Sequence, residues 1–251
     1  MAQASEHIVK AFDEDLQQLS ESVARMGGLA EAQISSAIEA LTKRDIELAG
    51  RVMNSDSAID ALEEQLNQDA VRLLALRQPM ATDLREVICA LKISSNLERI
   101  GDLATNIAKR VIALDKTPPI EPARAVPRLA RLVQNTIKDT LDAYVDRDAD
   151  RALDVWHRDE EVDEMYTGLF RQILTYMMED PRNISAGTHL LFMAKNIERM
   201  GDHATNIAET TYYLVTGRPM EGERVKADSS SFEVAKPPKQ ALGRKTPKER
   251  E

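Results

Sequence analysis

Apolar residues recur at intervals of three and four along almost the whole chain, and alternation with period two is absent. Ile8, Phe12, Leu16, Leu19, Val23 and Met26 advance by 4, 4, 3, 4 and 3 residues. Such a stripe covers one face of a long helix, and it runs on through Ile34 and Ile38 to Leu41. Gly27-Gly28 within it is expected to bend or weaken the helix. A second stripe, Val52, Ile59, Leu62, Leu66 and Leu73, stops at Pro79, which a helix interior excludes. A third carries Leu84, Val87, Leu91, Leu97, Ile100, Ala104, Ile107, Val111 and Leu114, with Asp83 and Glu86 placed as a capping box at its start. The segment Asp115–Pro127 then holds four prolines in 13 residues and reads as a linker. Helical patterns return over 128–146, 148–179 and 184–215, with Pro181 between the last two and Gly217 and Pro219 closing the final one.

This pattern gives an all-α chain of two tandem three-helix bundles. The first unit covers residues 5–115, a Pro-rich linker 116–127, the second unit 128–218 and a polar tail 219–251. The tail is rich in Pro, Ser, Lys and Glu and is expected to be disordered, because it buries too little to order itself. From Lys236 onward it has six Lys and Arg against two Glu, a basic stretch that reads as a solubilising tail.

The two units are copies of one another. Asn96-Leu-Glu98-Arg99-Ile-Gly101-Asp102-Leu-Ala104-Thr105-Asn106-Ile107-Ala108 matches Asn196-Ile-Glu198-Arg199-Met-Gly201-Asp202-His-Ala204-Thr205-Asn206-Ile207-Ala208 at 10 of 13 positions, offset by 100. The earlier helices, offset by 103, match at only 9 of 35 positions between Met26–Asp60 and Leu129–Asp163. Those nine include Arg44-Asp45 against Arg147-Asp148, and Asp56 and Asp60 against Asp159 and Asp163. Copies this divergent keep their carboxylates for some reason beyond helix formation.

Acids at i and i+4 stand one above the other on a helix face. Four such pairs fall in equivalent places: Asp56/Asp60 and Glu98/Asp102, then Asp159/Asp163 and Glu198/Asp202. If the helices bearing them form antiparallel hairpins turning near residue 80 and near Pro181, about 1.5 Å of rise per residue puts each set of four at one level, roughly 30 Å from the turn. At about 100° per residue, Glu98, Asp102 and Asn106 point away from the core stripe, which predicts an outer groove rather than a buried pocket. Asn106 and Asn206 extend the stripe by a turn and offer carbonyl oxygens. Gly101 and Gly201 each cost about 1 kcal/mol relative to Ala in a helix interior, which suits a close approach there. Exposed i, i+4 acids are common, and Arg99 and Arg199 could serve them as ion-pair partners. Four pairs at matched levels in two diverged copies favour instead a cation in each unit. All-oxygen ligands suit Mg²⁺, Ca²⁺ or Mn²⁺, with iron or zinc open.

Other chemistry is thin. His7, His157, His189 and His203 show no paired ligand spacing, and His203 beside Asp202 reads as a surface histidine more readily than as a ligand. The Glu-x-x-His motifs of di-iron bundles are absent, as are phosphate-binding glycine loops and nucleophile elbows. No catalytic acid–base pair stands out, so the chain reads as a non-enzyme. A metal-dependent helical hydrolase is the rival from another class.

Composition narrows the partners. The chain of 251 residues has 33 Lys and Arg against 42 Asp and Glu, a formal net charge of −9, and only 4% aromatics, none between Phe12 and Tyr144. It is therefore a poor reader of nucleic-acid phosphates or bases. Without the tail the charge is −11. Cys89 is the single cysteine and cannot form an internal disulfide, which fits a reducing compartment. No stretch reads as a signal peptide or a membrane span, so the expectation is a soluble, cytoplasmic protein.

The twin blocks NLERIGDLATNIA and NIERMGDHATNIA, each preceded by Asp-x-x-x-Asp in a three-helix unit, resemble the bacterial phosphate-uptake regulator family, PhoU. The resemblance covers roughly residues 5–218. It implies pseudo-two-fold symmetry between the bundles, a homodimer, and metal at Asp56, Asp60, Glu98, Asp102, Asp159, Asp163, Glu198 and Asp202. In some relatives these positions hold multinuclear iron or zinc clusters. It also implies a negative regulator of phosphate uptake and of the phosphate-starvation genes. Such a regulator is an adaptor between the ATPase of the phosphate ABC transporter and a phosphate-sensing membrane histidine kinase, and meets the inner membrane only through partners. A related helical family serves low-affinity phosphate permeases. The tail from Met220 is longer than the family pattern needs.

Overall fold

The structure, a computed structural model, describes residues 2–222 and 226–233, with the backbone alone for residues 2–11 and 232. The described residues form eight α-helices in chain order: α1 (Ala2–Lys43), α2 (Ile46–Ser55), α3 (Ser57–Arg77), α4 (Thr82–Asp115), α5 (Val126–Asp146), α6 (Ala149–His157), α7 (Asp159–Glu179) and α8 (Ile184–Thr216). Helices α1–α4 make the first unit and α5–α8 the second, and α4 and α8 pack broadly along each other at the seam. The all-α, two-unit architecture is as expected. Ile8, which opens the first apolar stripe, lies where only backbone is described, and residues 234–251 lie outside the described residues.

Each unit has one more helix than the periodicity suggests, because the middle helix is interrupted. In the first unit the interruption falls at Asp56, between α2 and α3, and in the second at Arg158, between α6 and α7. The apolar step from Val52 to Ile59 crosses the break without losing phase, so spacing alone does not reveal it.

The Arg-Asp pairs kept in both copies form the sharp junctions after α1 and α5. Arg44 and Arg147 each adopt φ 54°, in the left-handed region. The next residue's N–H then donates back into the helix, Asp45 to the Ala40 carbonyl and Asp148 to the Ala143 carbonyl, both at 2.9 Å. This is a Schellman stop. The aspartate at once caps the following helix, Asp45 accepting from the Leu48 N–H and Asp148 from the Arg151 N–H. One dipeptide ends one helix and starts the next. Arg44 also donates to the Leu114, Asp115 and Thr117 carbonyls, closing the C-terminus of α4. Arg147 pairs across the seam with Glu86 of α4.

That contact changes the expectation at the start of α4. Asp83 is not the N-cap: the helix begins at Thr82 after Ala81, whose φ is 49°, and no side chain caps it. Glu86 serves the other unit instead of a capping box. Asp83 still favours the helix from its first turn, by the helix dipole.

Gly27-Gly28 does not break α1. A Cβ at Gly27 would stand 2.7 Å from Leu141 Cδ2, so the missing side chain lets α5 press against α1. The buried residues form a core that is continuous across both units, aliphatic apart from a few residues such as Tyr144 and Tyr166. Cys89 is buried within it as a free thiol, and burial pushes its pKa up.

Candidate functional site

In the first unit Asp56 sits at the α2–α3 break and Asp60 one turn into α3, facing Glu98 and Asp102 on α4. Two of the four respond to their neighbours. Burial raises the pKa of Asp60, and the charges of Asp56 and Asp102 raise it further. Glu98 is pushed up to about 6, by burial first and then by Asp102, against the pull of Arg99. Arg99 lies 3.5 Å from Glu98 and 3.6 Å from Asp102, but it is largely exposed and gives weak compensation. Among the described residues Asp56 and Asp60 form no ion pair. Asn106 is exposed one turn beyond.

Two buried polar atoms of this unit, on Gln33 and Thr105, accept or donate no hydrogen bond. The Gln33 amide of α1 donates to Ser55 Oγ at 3.2 Å, but its oxygen accepts nothing. That oxygen would lie 3.0 Å from a Cβ on Gly101, where Asp56 Oδ1 would lie 3.7 Å away. The Thr105 hydroxyl, also buried, has no partner either. Gly101 thus opens space into which an amide oxygen and a carboxylate both project. Gln33 was not a candidate on sequence. Its signal was an amide inside the apolar stripe of α1, between Ala30 and Ala37.

The second unit repeats the positions in a different setting. Asp159, Asp163 and Glu198 are only 3–4% exposed, so this site is buried and not the outer groove expected. Thr205, the counterpart of Thr105, donates to Asp159 Oδ1 at 2.9 Å. Residues 227–228 run over α7, and the N–H groups of Ala227 and Asp228 both donate to Asp163 Oδ2, at 2.9 and 3.2 Å. Lys195, where the first unit has Ser95, lies 2.8 Å from Glu198 and 2.9 Å from Asp228. Lys226 lies 3.5 Å from Asp202. Burial still drives Glu198 up to about 7. Burial also opposes the Lys195 ammonium, but its bonds to Glu198 and Asp228 outweigh this and raise its pKa. Residues 226–233 therefore lie against the bundle, and Lys195, Lys226 and Asp228 join a site that the sequence pattern confines to the helices.

Asn206 and His203 are directed elsewhere. The Asn206 amide reaches Asn96 Oδ1 of α4 at 3.5 Å, and His203 Nδ1 lies 2.9 Å from the same oxygen. Both serve the seam between the units.

The donor set is all oxygen, and mutual repulsion with an unpartnered amide oxygen nearby fits a hard cation in the first unit. The side chains as placed do not close around one ion: among the described residues no three His, Cys, Asp or Glu groups stand together as a ligand set. In the second unit amides and ammonium groups already compensate the carboxylates.

The chain matches the PhoU domain twice, over residues 23–111 and 126–211. It is 51% identical over 225 residues to the phosphate-specific transport system accessory protein PhoU homolog of Caulobacter vibrioides, covering 89% of this chain and 98% of that protein. The homolog of the same description from Rhizobium meliloti is 50% identical over 226 residues, covering 90% and 95%. The crystal structure of PhoU from Pseudomonas aeruginosa superposes with a TM-score of 0.79 at 40% identity, covering 82% of this chain and all of that one. The phosphate transport system regulatory protein PhoU from Streptococcus pneumoniae gives 0.78 at 33% identity, covering 84% and 99%. With two PhoU domains spanning its body and relatives this similar along nearly their whole length, the chain belongs to the PhoU family.

Proposed function

We propose that this chain is an accessory regulator of phosphate-specific transport that restrains uptake and the phosphate-starvation genes when phosphate is plentiful. The observation that carries the reading is the pair of PhoU domains over residues 23–111 and 126–211, shared with relatives described as accessory proteins of that transport system. Among the described residues no helix is long and apolar enough to cross a membrane. The protein would therefore reach the membrane through partners, the ATPase of the phosphate ABC transporter and a phosphate-sensing histidine kinase. It would act from the cytoplasm, as a homodimer and without turnover.

The first acidic site is the proposed docking element. Asp56, Asp60, Glu98 and Asp102 would hold a divalent cation, with the Gln33 oxygen beside them. A bound cation would supply the positive charge that keeps these carboxylates ionised side by side. Asp60 and Glu98, on different helices, would then be tied together and fix the outer faces of α3 and α4 as one surface.

Replacing Asp60, Glu98 and Asp102 together by alanine should derepress a phosphate-starvation reporter at high phosphate while the far-ultraviolet circular dichroism stays helical. A folded triple variant that still represses fully would sink the docking role. Full repression in a strain lacking the gene would sink the regulator reading itself.

A further inference from the structure

We propose that the second acidic site is a binding site for the chain's own segment 226–233, which occupies the place a cation would take, so that each protomer carries one open carboxylate site and one closed by its own strap. The inference builds on the cation reading of the first unit.

The strap's contacts are those of a ligand. Two consecutive backbone N–H groups, of Ala227 and Asp228, converge on one oxygen of Asp163, as donors converge on an anion. Lys226 brings an ammonium to Asp202. Asp228 takes Lys195 from the outer side while Glu198 takes it from the inner side, so this lysine joins strap to helix. Asp228 also accepts from the Ser230 N–H at 2.9 Å, which sets the turn that presents the two amides. Farther along, Arg171 of α7 holds Glu233 with Nε at 2.7 Å. The strap is thus fixed at both ends as well as in the middle.

The first unit has none of these parts. Ser95 stands where Lys195 would be, and the chain after α4 enters the proline-rich linker, which makes no bond to Asp56 or Asp60. Its Gln33 oxygen and Thr105 hydroxyl are unpartnered, whereas the residues at the equivalent positions of the second unit are bonded, although Thr167, one turn from Asp163, also keeps an unpartnered hydroxyl. There position 136 is a threonine bonded to the Leu132 carbonyl, and Thr205 is bonded to Asp159. The first site has only the largely exposed Arg99 beside it among the described residues, while the second also has Lys195 and two backbone N–H groups on its buried acids. A cation entering the second site must first displace the two amides from Asp163, so strap and cation compete for the same oxygen; Lys226, as exposed as Arg99, adds little to this.

The test uses the full-length chain and Mn²⁺ as the probe. Equilibrium dialysis with elemental analysis counts bound Mn²⁺, and amide hydrogen exchange reads the strap. In the unaltered chain, the amides of Ala227 and Asp228 should be protected, and bound Mn²⁺ should depend on Asp60 and Glu98 but not on Asp163. Asp163→Asn should speed exchange at those two amides by about tenfold or more. The Lys226→Ala/Asp228→Ala variant should gain about one further Mn²⁺ equivalent, lost again when Asp163→Asn is added. Free-peptide exchange rates at Ala227 and Asp228 in the unaltered chain would overturn the proposal. So would unchanged protection in Asp163→Asn, or an Asp163-dependent ion bound with the strap still protected. A chain that binds no Mn²⁺ in any form overturns the cation reading of the first unit, while exchange at the two amides still decides whether the strap is there.

Discussion

The hydroxyl of Thr205 donates to Asp159 at 2.9 Å, whereas Thr105, at the same place in the first copy, is buried with no partner. Identical residues therefore carry different energies. Thr205→Val should destabilise the protein by about 1–3 kcal/mol, because it removes the bond and leaves a buried carboxylate short of a donor. Thr105→Val should be neutral or stabilising, since it removes a buried hydroxyl that bonds nothing. Urea denaturation of both variants checks this, and equal losses would contradict it.

Glycine substitutions should separate close approach from chance. At Gly101 a Cβ would meet Ile59 Cδ1 at 2.9 Å and the Gln33 oxygen at 3.0 Å. Gly101→Ala should cost about 1–3 kcal/mol through overpacking, partly offset by better helix propensity. At Gly28 nothing lies within 4 Å, so Gly28→Ala should stabilise by about 0.5–1 kcal/mol. Thermal melts read both signs directly.

The raised carboxyls predict a pH dependence in metal-free buffer. Glu98 is pushed up to about 6 and Glu198 to about 7, above the ordinary 4.5 of an unfolded glutamate. The native state thus binds the proton more tightly than the unfolded chain, and these groups destabilise most at high pH. Their penalty is relieved as pH falls through about 7 and 6 toward 4.5. His203, whose pKa is lowered by burial first and then by Arg199, works the other way below 6.5. The clean measurement is a difference: the unaltered chain should gain stability relative to Glu98→Gln and Glu198→Gln as pH drops from 7.5 to 5. A flat difference would refute the assignment.

Cation binding to the native state should appear as thermal stabilisation. At a free Mn²⁺ concentration about 100 times its dissociation constant, mass action supplies roughly 2.7 kcal/mol. The gain should vanish in Asp60→Asn and survive in Asp163→Asn, which follows from the inequality of the two sites. Differential scanning fluorimetry with and without a chelator measures it.

The bundle architecture was legible because apolar spacing and the repeated 13-residue block are local signals. The positions of Asp56, Asp60, Glu98 and Asp102 followed from helix geometry. The break at Asp56 was not legible, since Val52 and Ile59 stay in phase across it. Glu86 was misread because its partner, Arg147, lies 61 residues away in the chain. The strap was hidden for a different reason. Composition judges a segment by the side chains it could bury, while this one is held largely by backbone N–H groups and by Lys195 and Arg171, residues of another element. The difference between the two sites is only partly legible: Lys195 against Ser95 stands in the sequence, but its pairing with Glu198 and Asp228 does not.

The core that runs unbroken from one unit into the other carries a consequence for how the duplicated chain behaves. Helices α4 and α8 each have one side given to their own unit and another given to the seam. A half-length fragment would leave a long aliphatic face of its last helix in water, so it should self-associate rather than stand alone. The two sequence repeats share one core, so they should unfold together. A substitution on the seam in one unit has to fit its neighbour in the other. The surfaces turned to solvent carry no such constraint.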